Sequence, residues 1–259
     1  MRKLQILFLI FVFAGLVFGQ TSKFVETDNL KIHYLEWGEE QETIILIHGR
    51  YDTSEVWQEL AILLAKKYRV IAPDRRGLGL SLKVLNGYEI ENLSKDLNNL
   101  IKELNISKFH FIGHSAGGNT AMTYAVMFPE EVESLVLIEG GFWKKGKAGK
   151  IQDCPKPLEK ECLSNQRATI ENYKYNAEKL YSKVFAPTLL VLAIPQNLEK
   201  ADIESKQLFE SIRQVINLAA NVKFKNGRFS TINDTGHFVQ KDQPELLSKL
   251  IIEFHKKQK

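Results

Sequence analysis

The sequence has almost no excess of either charge: 35 basic and 31 acidic residues leave a net charge of +4 over 259 residues. That excludes an electrostatic nucleic-acid binder, which needs a concentrated basic face. There is no internal repeat and no low-complexity tract, so the chain reads as one large domain. Apolar runs are short with one exception, Leu4 to Phe18. Even this run falls short of the roughly 20 residues needed to cross a bilayer. It follows a basic head, Arg2 and Lys3, and ends in Val17-Phe18-Gly19. Residues 1–19 therefore read as a secretory signal peptide and 20–259 as the domain. The other reading is an uncleaved anchor, and no cysteine follows the run to make a lipoprotein. Export to the periplasm or the extracellular space is expected, with no stable membrane insertion after cleavage. Cysteine is scarce too: Cys154 and Cys162 are the only two. In an oxidising compartment they would close a local disulfide, and the alternative is two free thiols. No cluster has metal-ligand spacing and no cofactor fingerprint is present, so neither a metal nor a cofactor is expected.

Short apolar runs alternate with helical periodicity along the domain. Residues 23–28 and 31–37 read as a half-exposed hairpin about Asp28-Asn29, with His33 on its surface. Thr43–Ile47 reads as a strand covered on both faces. A helix runs from a cap at Asp52 to Lys66. Arg69–Ala72 is the next strand, followed by a helix over 92–104. Further strands are expected at 108–112, 132–138, 187–193 and 228–232, a helix at 203–219, and a closing helix from Pro244, which suits a first helical position. Such alternation implies crossovers, a mostly parallel sheet and an α/β fold. Ligands then bind beyond the carboxyl ends of the strands. Residues 140–185 break the pattern and read as a small lid.

The pentapeptide Gly113-His114-Ser115-Ala116-Gly117 lies between a buried strand and a helix that Pro129 stops. Strand, tight turn and helix are the context of a nucleophile elbow. His48-Gly49 follows an early strand. Pro73-Asp74-Arg75-Arg76-Gly77-Leu78-Gly79-Leu80-Ser81 follows the next, and Gly236-His237 follows the last. In this order the four blocks resemble the α/β-hydrolase superfamily. The resemblance runs from about residue 24 to the end, excepting the lid. It implies a mostly parallel sheet of about eight strands with helices on both faces. It also implies Ser115 as nucleophile, His237 as base, and backbone N–H groups of Arg50 and Ala116 as an oxyanion hole.

The orienting acid departs from the common pattern. Most relatives place it after the strand matching Thr188–Ala193, where this chain reads Ile194-Pro195-Gln196-Asn197. Some carry it one strand earlier, at the position of Glu139. A glutamate ending an apolar strand needs a partner. Glu139 is therefore the leading acid, with Asp202 as the alternative and Asp234 read as a turn residue. The Arg50 side chain is either solvated or reads an anionic part of a substrate. His48 is read as shaping its loop, His110 as a satisfied core group, His114 as packing beside the elbow and His255 as complementing a helix dipole. Asp74, with Arg75 or Arg76, is read as bracing its loop.

The expected activity is hydrolysis of a small ester, thioester, lactone or amide through an acyl-enzyme. The competing reading is a binding or signalling protein on the same fold, with the missing carboxylate after residue 193 marking a decayed triad. The distance from Glu139 to His237 discriminates between them. A third reading docks the Lys144–Lys150 patch on anionic lipid, against a plain solvated loop.

Overall fold

The computed structural model describes residues 19–27, 30–141, 180–194 and 226–258. Residues 1–18, the Lys144–Lys150 patch, Cys154, Cys162, most of the lid, Asp202 and the helix expected at 203–219 lie outside the described residues.

Among the described residues, eight strands form one sheet. They are β1 (Thr21–Thr27), β2 (Leu30–Trp37), β3 (Thr43–Ile47), β4 (Arg69–Pro73), β5 (Phe109–His114), β6 (Val132–Ile138), β7 (Thr188–Ile194) and β8 (Gly227–Asn233). Their spatial order is β1-β2-β4-β3-β5-β6-β7-β8. The first two neighbour pairs, β1–β2 and β2–β4, are antiparallel and the others parallel. From β3 the chain goes to β4 on one side and returns to β5 on the other. The carboxyl ends of β3 and β5 therefore flank the point where strand order reverses, the ligand-binding crevice of open α/β sheets.

Apolar alternation sorts the strand residues onto two faces. Ile45, Ile47, Phe109, Phe111, Leu135 and Leu137 share a core with Leu97, Leu100 and Ile101 of helix α2 (Ile90–Glu103) and Met122 and Tyr124 of helix α3 (Ala116–Met127). Ile44, Leu46, Ile112, Val136 and Val191 share the other core with Leu60 and Leu64 of helix α1 (Gln58–Leu64). Leu247, Ile251 and Phe254 join them from helix α5 (Pro244–Lys256). A short helix α4 (Val239–Asp242) precedes α5.

The same sorting corrects one expectation. Strand β2 is not half exposed, because Ile32 and Tyr34 enter one core and Leu35 and Trp37 the other. His33 is not a surface residue either. It is buried, and its Nδ1 lies 2.7 Å from Asp74 Oδ2. The helix cap also differs. Thr53, not Asp52, accepts from the Glu55 N–H at 3.4 Å, at the start of a 3₁₀ turn (Ser54–Trp57) that leads into α1. His255 is buried and stacks on His110 with ring centroids 3.8 Å apart, on the packed side of the last turn of α5.

The β5–α3 turn sits close against β3. A Cβ at Gly117 would lie 2.2 Å from the Ile47 carbonyl oxygen and 2.5 Å from that of His48. Both atoms are backbone and cannot rotate aside. Gly117→Ala is expected to destabilise by about 3 kcal/mol through overpacking. For a domain of this size that lowers Tm by about 10 °C, read by thermal denaturation. An unchanged Tm would contradict this packing.

Candidate active site

Ser115 stands between β5 and α3 with φ 51° and ψ −121°, a conformation that non-glycine residues adopt only when their surroundings enforce it. Its N–H donates to the Ile138 carbonyl at 2.9 Å, which ties the turn to β6. Ala116 begins α3 directly after it.

Glu139, directly after β6, is strained in the same way, with φ 48°. Its N–H donates to the Val191 carbonyl at 3.0 Å, and its Oε1 accepts from the Ala193 N–H at 2.6 Å. The first contact fixes the backbone and the second the carboxylate of this residue, which is 2% exposed. Its Oε2 lies 3.5 Å from His237 Nδ1, at the long end of hydrogen-bonding distance. Serine turn, buried carboxylate and imidazole thus share the carboxyl edge of the sheet. Cys154, Cys162 and Asp202 belong to the undescribed residues, so no geometry bears on them.

His237 is held through its backbone. His114 Nε2–H donates to the His237 carbonyl at 2.7 Å, and the two rings are 4.7 Å apart. The loop before it contains Asp234, with φ 58°. Asp242 Oδ2 accepts from the Gly236 N–H at 2.8 Å and from Thr235 Oγ1 at 3.0 Å. The sequence reading did not single out Asp242. Its signal is an acid that closes the short turn before the Pro244 helix start.

The loop after β3 lies against the Ser115 turn. A Cβ at Gly49 would stand 3.3 Å from Ser115 Cβ, 3.0 Å from His114 Nδ1 and 3.2 Å from Asp52 Oδ2. Asp52 therefore faces the site. Burial raises its carboxyl pKa, and the positive charges of Lys241, Arg75 and His237 oppose the rise. Tyr51 has φ 63°, and the Arg50 guanidinium lies 5.4 Å from the centre of its ring.

His48 is fully buried. Its Nε2 accepts from the Arg75 N–H at 3.1 Å, so its Nδ1 carries the proton and donates to the Gly49 carbonyl at 2.9 Å. Burial and then the Arg75 charge lower its pKa to about 3. Burial, followed by the His237 charge, lowers that of His114 to about 3 as well. Both rings are neutral at neutral pH. Asp74 ties the adjacent loop: Oδ1 accepts from Ser54 N–H at 2.6 Å and Oδ2 from Leu80 N–H at 2.8 Å. Among the described residues no group of three or more His, Cys, Asp or Glu is placed to hold a metal, and no helix is long and apolar enough to cross a membrane. A polar cavity of about 440 Å³, lined by Glu36, Glu39, Arg69 and Lys108, lies at the opposite edge of the sheet, away from this chemistry.

A family model described as the alpha/beta hydrolase fold matches residues 42–161. A solved structure described as a membrane phospholipase A has a TM-score of 0.69 at 25% identity, over 93% of this chain and 87% of that one. The chain has the α/β-hydrolase fold. Several of its relatives are described as hydrolases. A 2-hydroxy-6-oxononadienedioate/2-hydroxy-6-oxononatrienedioate hydrolase of Pseudomonas putida is 25% identical over 91% of this chain and 96% of its own. The Escherichia coli hydrolase of the same description is 32% identical, but over 60% of this chain and 56% of that protein. In this chain a buried carboxylate, Glu139, directly follows β6.

Proposed function

We propose that this α/β hydrolase is an exported serine hydrolase that cleaves a small ester, thioester, lactone or amide through an acyl-enzyme on Ser115. Export rests on the sequence of residues 1–19. The catalytic reading is carried by one observation, the buried Glu139 carboxylate 3.5 Å from His237 Nδ1. A carboxylate there holds the ring as the Nδ1–H tautomer and leaves Nε2 free to accept a proton.

In the first step His237 Nε2 takes the Ser115 hydroxyl proton as Oγ bonds to the substrate carbonyl carbon. The carbonyl electron pair moves onto oxygen, where the N–H groups of Arg50 and Ala116 receive it. The imidazolium then protonates the leaving group as the scissile bond breaks. Water, deprotonated by His237, attacks the acyl carbon in the same way and releases the acid. The α/β-hydrolase fold and the strained Ser115 backbone support this sequence of steps. A decayed triad on a binding protein is disfavoured by the same carboxylate. Hydrolysis of an acidic oxo-substrate is a second reading, favoured by the likeness to the Pseudomonas putida hydrolase along nearly the whole chain.

The test is reaction of the purified protein with a fluorophosphonate probe, followed by mass mapping of the adduct. One phosphonyl group on the peptide containing Ser115 is expected, and none in Ser115→Ala. A folded wild-type protein that takes no label sinks the reading.

A further inference from the structure

We propose that Arg75 is a positioning residue for this acyl transfer, its buried guanidinium pinning and polarising the Gly49–Arg50 peptide whose N–H meets the developing oxyanion. The inference rests on the reading of Ser115 as nucleophile.

The geometry is a small closed network. Arg75 Nη2 donates to the Gly49 carbonyl at 2.7 Å. The same oxygen receives His48 Nδ1–H at 2.9 Å, and His48 in turn accepts the Arg75 backbone N–H at 3.1 Å. Arg75 thus reaches Gly49 twice, once through its own side chain and once through His48. The Gly49 C=O and the Arg50 N–H belong to one planar trans peptide, in which they point in opposite directions. Fixing the carbonyl from one side fixes the N–H on the other. The peptide is also beside the nucleophile, since Gly49 leaves no more than a side-chain contact between itself and Ser115.

A charged donor on the carbonyl does more than hold it. It draws electron density from the amide and makes the N–H of that peptide a stronger donor, an effect that grows in a dry interior. Arg75 is 5% exposed, so its field is little screened. Burial, with Asp52 opposing and Arg50 adding, lowers its pKa only to about 10, and the guanidinium stays charged at neutral pH. Nothing else in the chemistry uses this cation. Arg76, its neighbour, is engaged elsewhere in a fork with Asp96, both contacts at 2.7 Å.

The full chain is assayed with p-nitrophenyl butyrate as wild type, Arg75→Gln and Arg75→Lys, with Ser115→Ala as the zero. Affinity for phenylboronic acid, which forms a tetrahedral adduct with an activated serine, is measured alongside, and fold by circular dichroism and Tm. Outright loss of an oxyanion donor costs about two to three decades. Misorienting one is expected to lower kcat about a hundredfold in Arg75→Gln. Boronate affinity should fall by a similar factor, with KM within about threefold of wild type. Arg75→Lys, which keeps the charge, should recover at least about tenfold of the kcat lost by Gln. A merely structural role would track Tm and favour neither variant. Wild-type kcat in a folded Gln variant, or a Lys variant no better than Gln, overturns the proposal. If the Gln variant does not fold, Lys decides. A folded Lys variant within about tenfold of wild type supports the role of the charge, and a larger fall overturns it. A wild type that neither turns over nor takes the fluorophosphonate label fails at Ser115, and this inference falls with that reading.

Discussion

Glu139→Gln is expected to lower kcat by about three to four orders of magnitude with little change in KM. The amide is nearly isosteric and can keep the bond from the Ala193 N–H to Oε1, so the backbone at the end of β6 has no reason to move. Its other terminus then presents an NH₂ group, a donor, towards His237 Nδ1. Two donors cannot share one hydrogen bond. The ring answers by moving its proton to Nε2, the nitrogen that must be empty to receive the Ser115 proton. The loss is therefore one of tautomer as well as of charge stabilisation. Steady-state turnover of p-nitrophenyl butyrate and the rate of fluorophosphonate labelling should fall together while Tm holds. A fall of less than about tenfold would move the orienting role to Asp202.

Acid should destabilise the fold well before the carboxylates titrate. His48 and His114 both have native pKa values lowered to about 3, chiefly by burial, against about 6.5 when unfolded. Between those values the unfolded chain binds protons that the native state excludes. Their neutral burial is compatible with full stability above pH 6.5, and stability is lost as pH falls towards 3. Each group contributes about 1.4 kcal/mol per pH unit in that window, so the pair contributes on the order of 3 kcal/mol per unit. Asp74 works in the same direction at lower pH. Its own burial opposes ionisation, but the N–H groups of Ser54 and Leu80 outweigh it and hold the carboxyl below its usual range. Urea unfolding at pH 7, 6 and 5 measures the slope. His114→Phe should flatten it by about one proton. A wild-type slope of zero would mean that water reaches these rings.

The strands that run as unbroken apolar stretches were legible, because a strand covered on both faces has no other composition. The elbow was legible because Gly113, Ser115 and Gly117 leave few other ways to turn from strand to helix. Pro244 announced its helix for the reason that its missing N–H is harmless there. Errors arose where burial depends on what lies across from a residue. His33 is polar and mid-strand, and only Asp74, forty-one positions away, makes it internal. Asp52 has the spacing of a cap, yet Thr53 takes that bond and Asp52 turns to Gly49. Arg75, one of two arginines expected to brace the loop with Asp74, donates to Gly49. Its bond to Gly49 joins two loops whose approach no local pattern encodes.

The site is assembled from both ends of a long stretch of chain, and that has a consequence for synthesis. A nascent chain that has emerged through β6 already holds β3, β5 and α3, the parts that shape the serine turn. It does not yet hold β7, whose Ala193 N–H fixes the Glu139 carboxylate, nor His237, which follows β8. Asp242, which braces the histidine loop, comes later still. On the proposed reading, the nucleophile is built early and its base late, and a chain interrupted anywhere before residue 237 carries a shaped but unarmed serine.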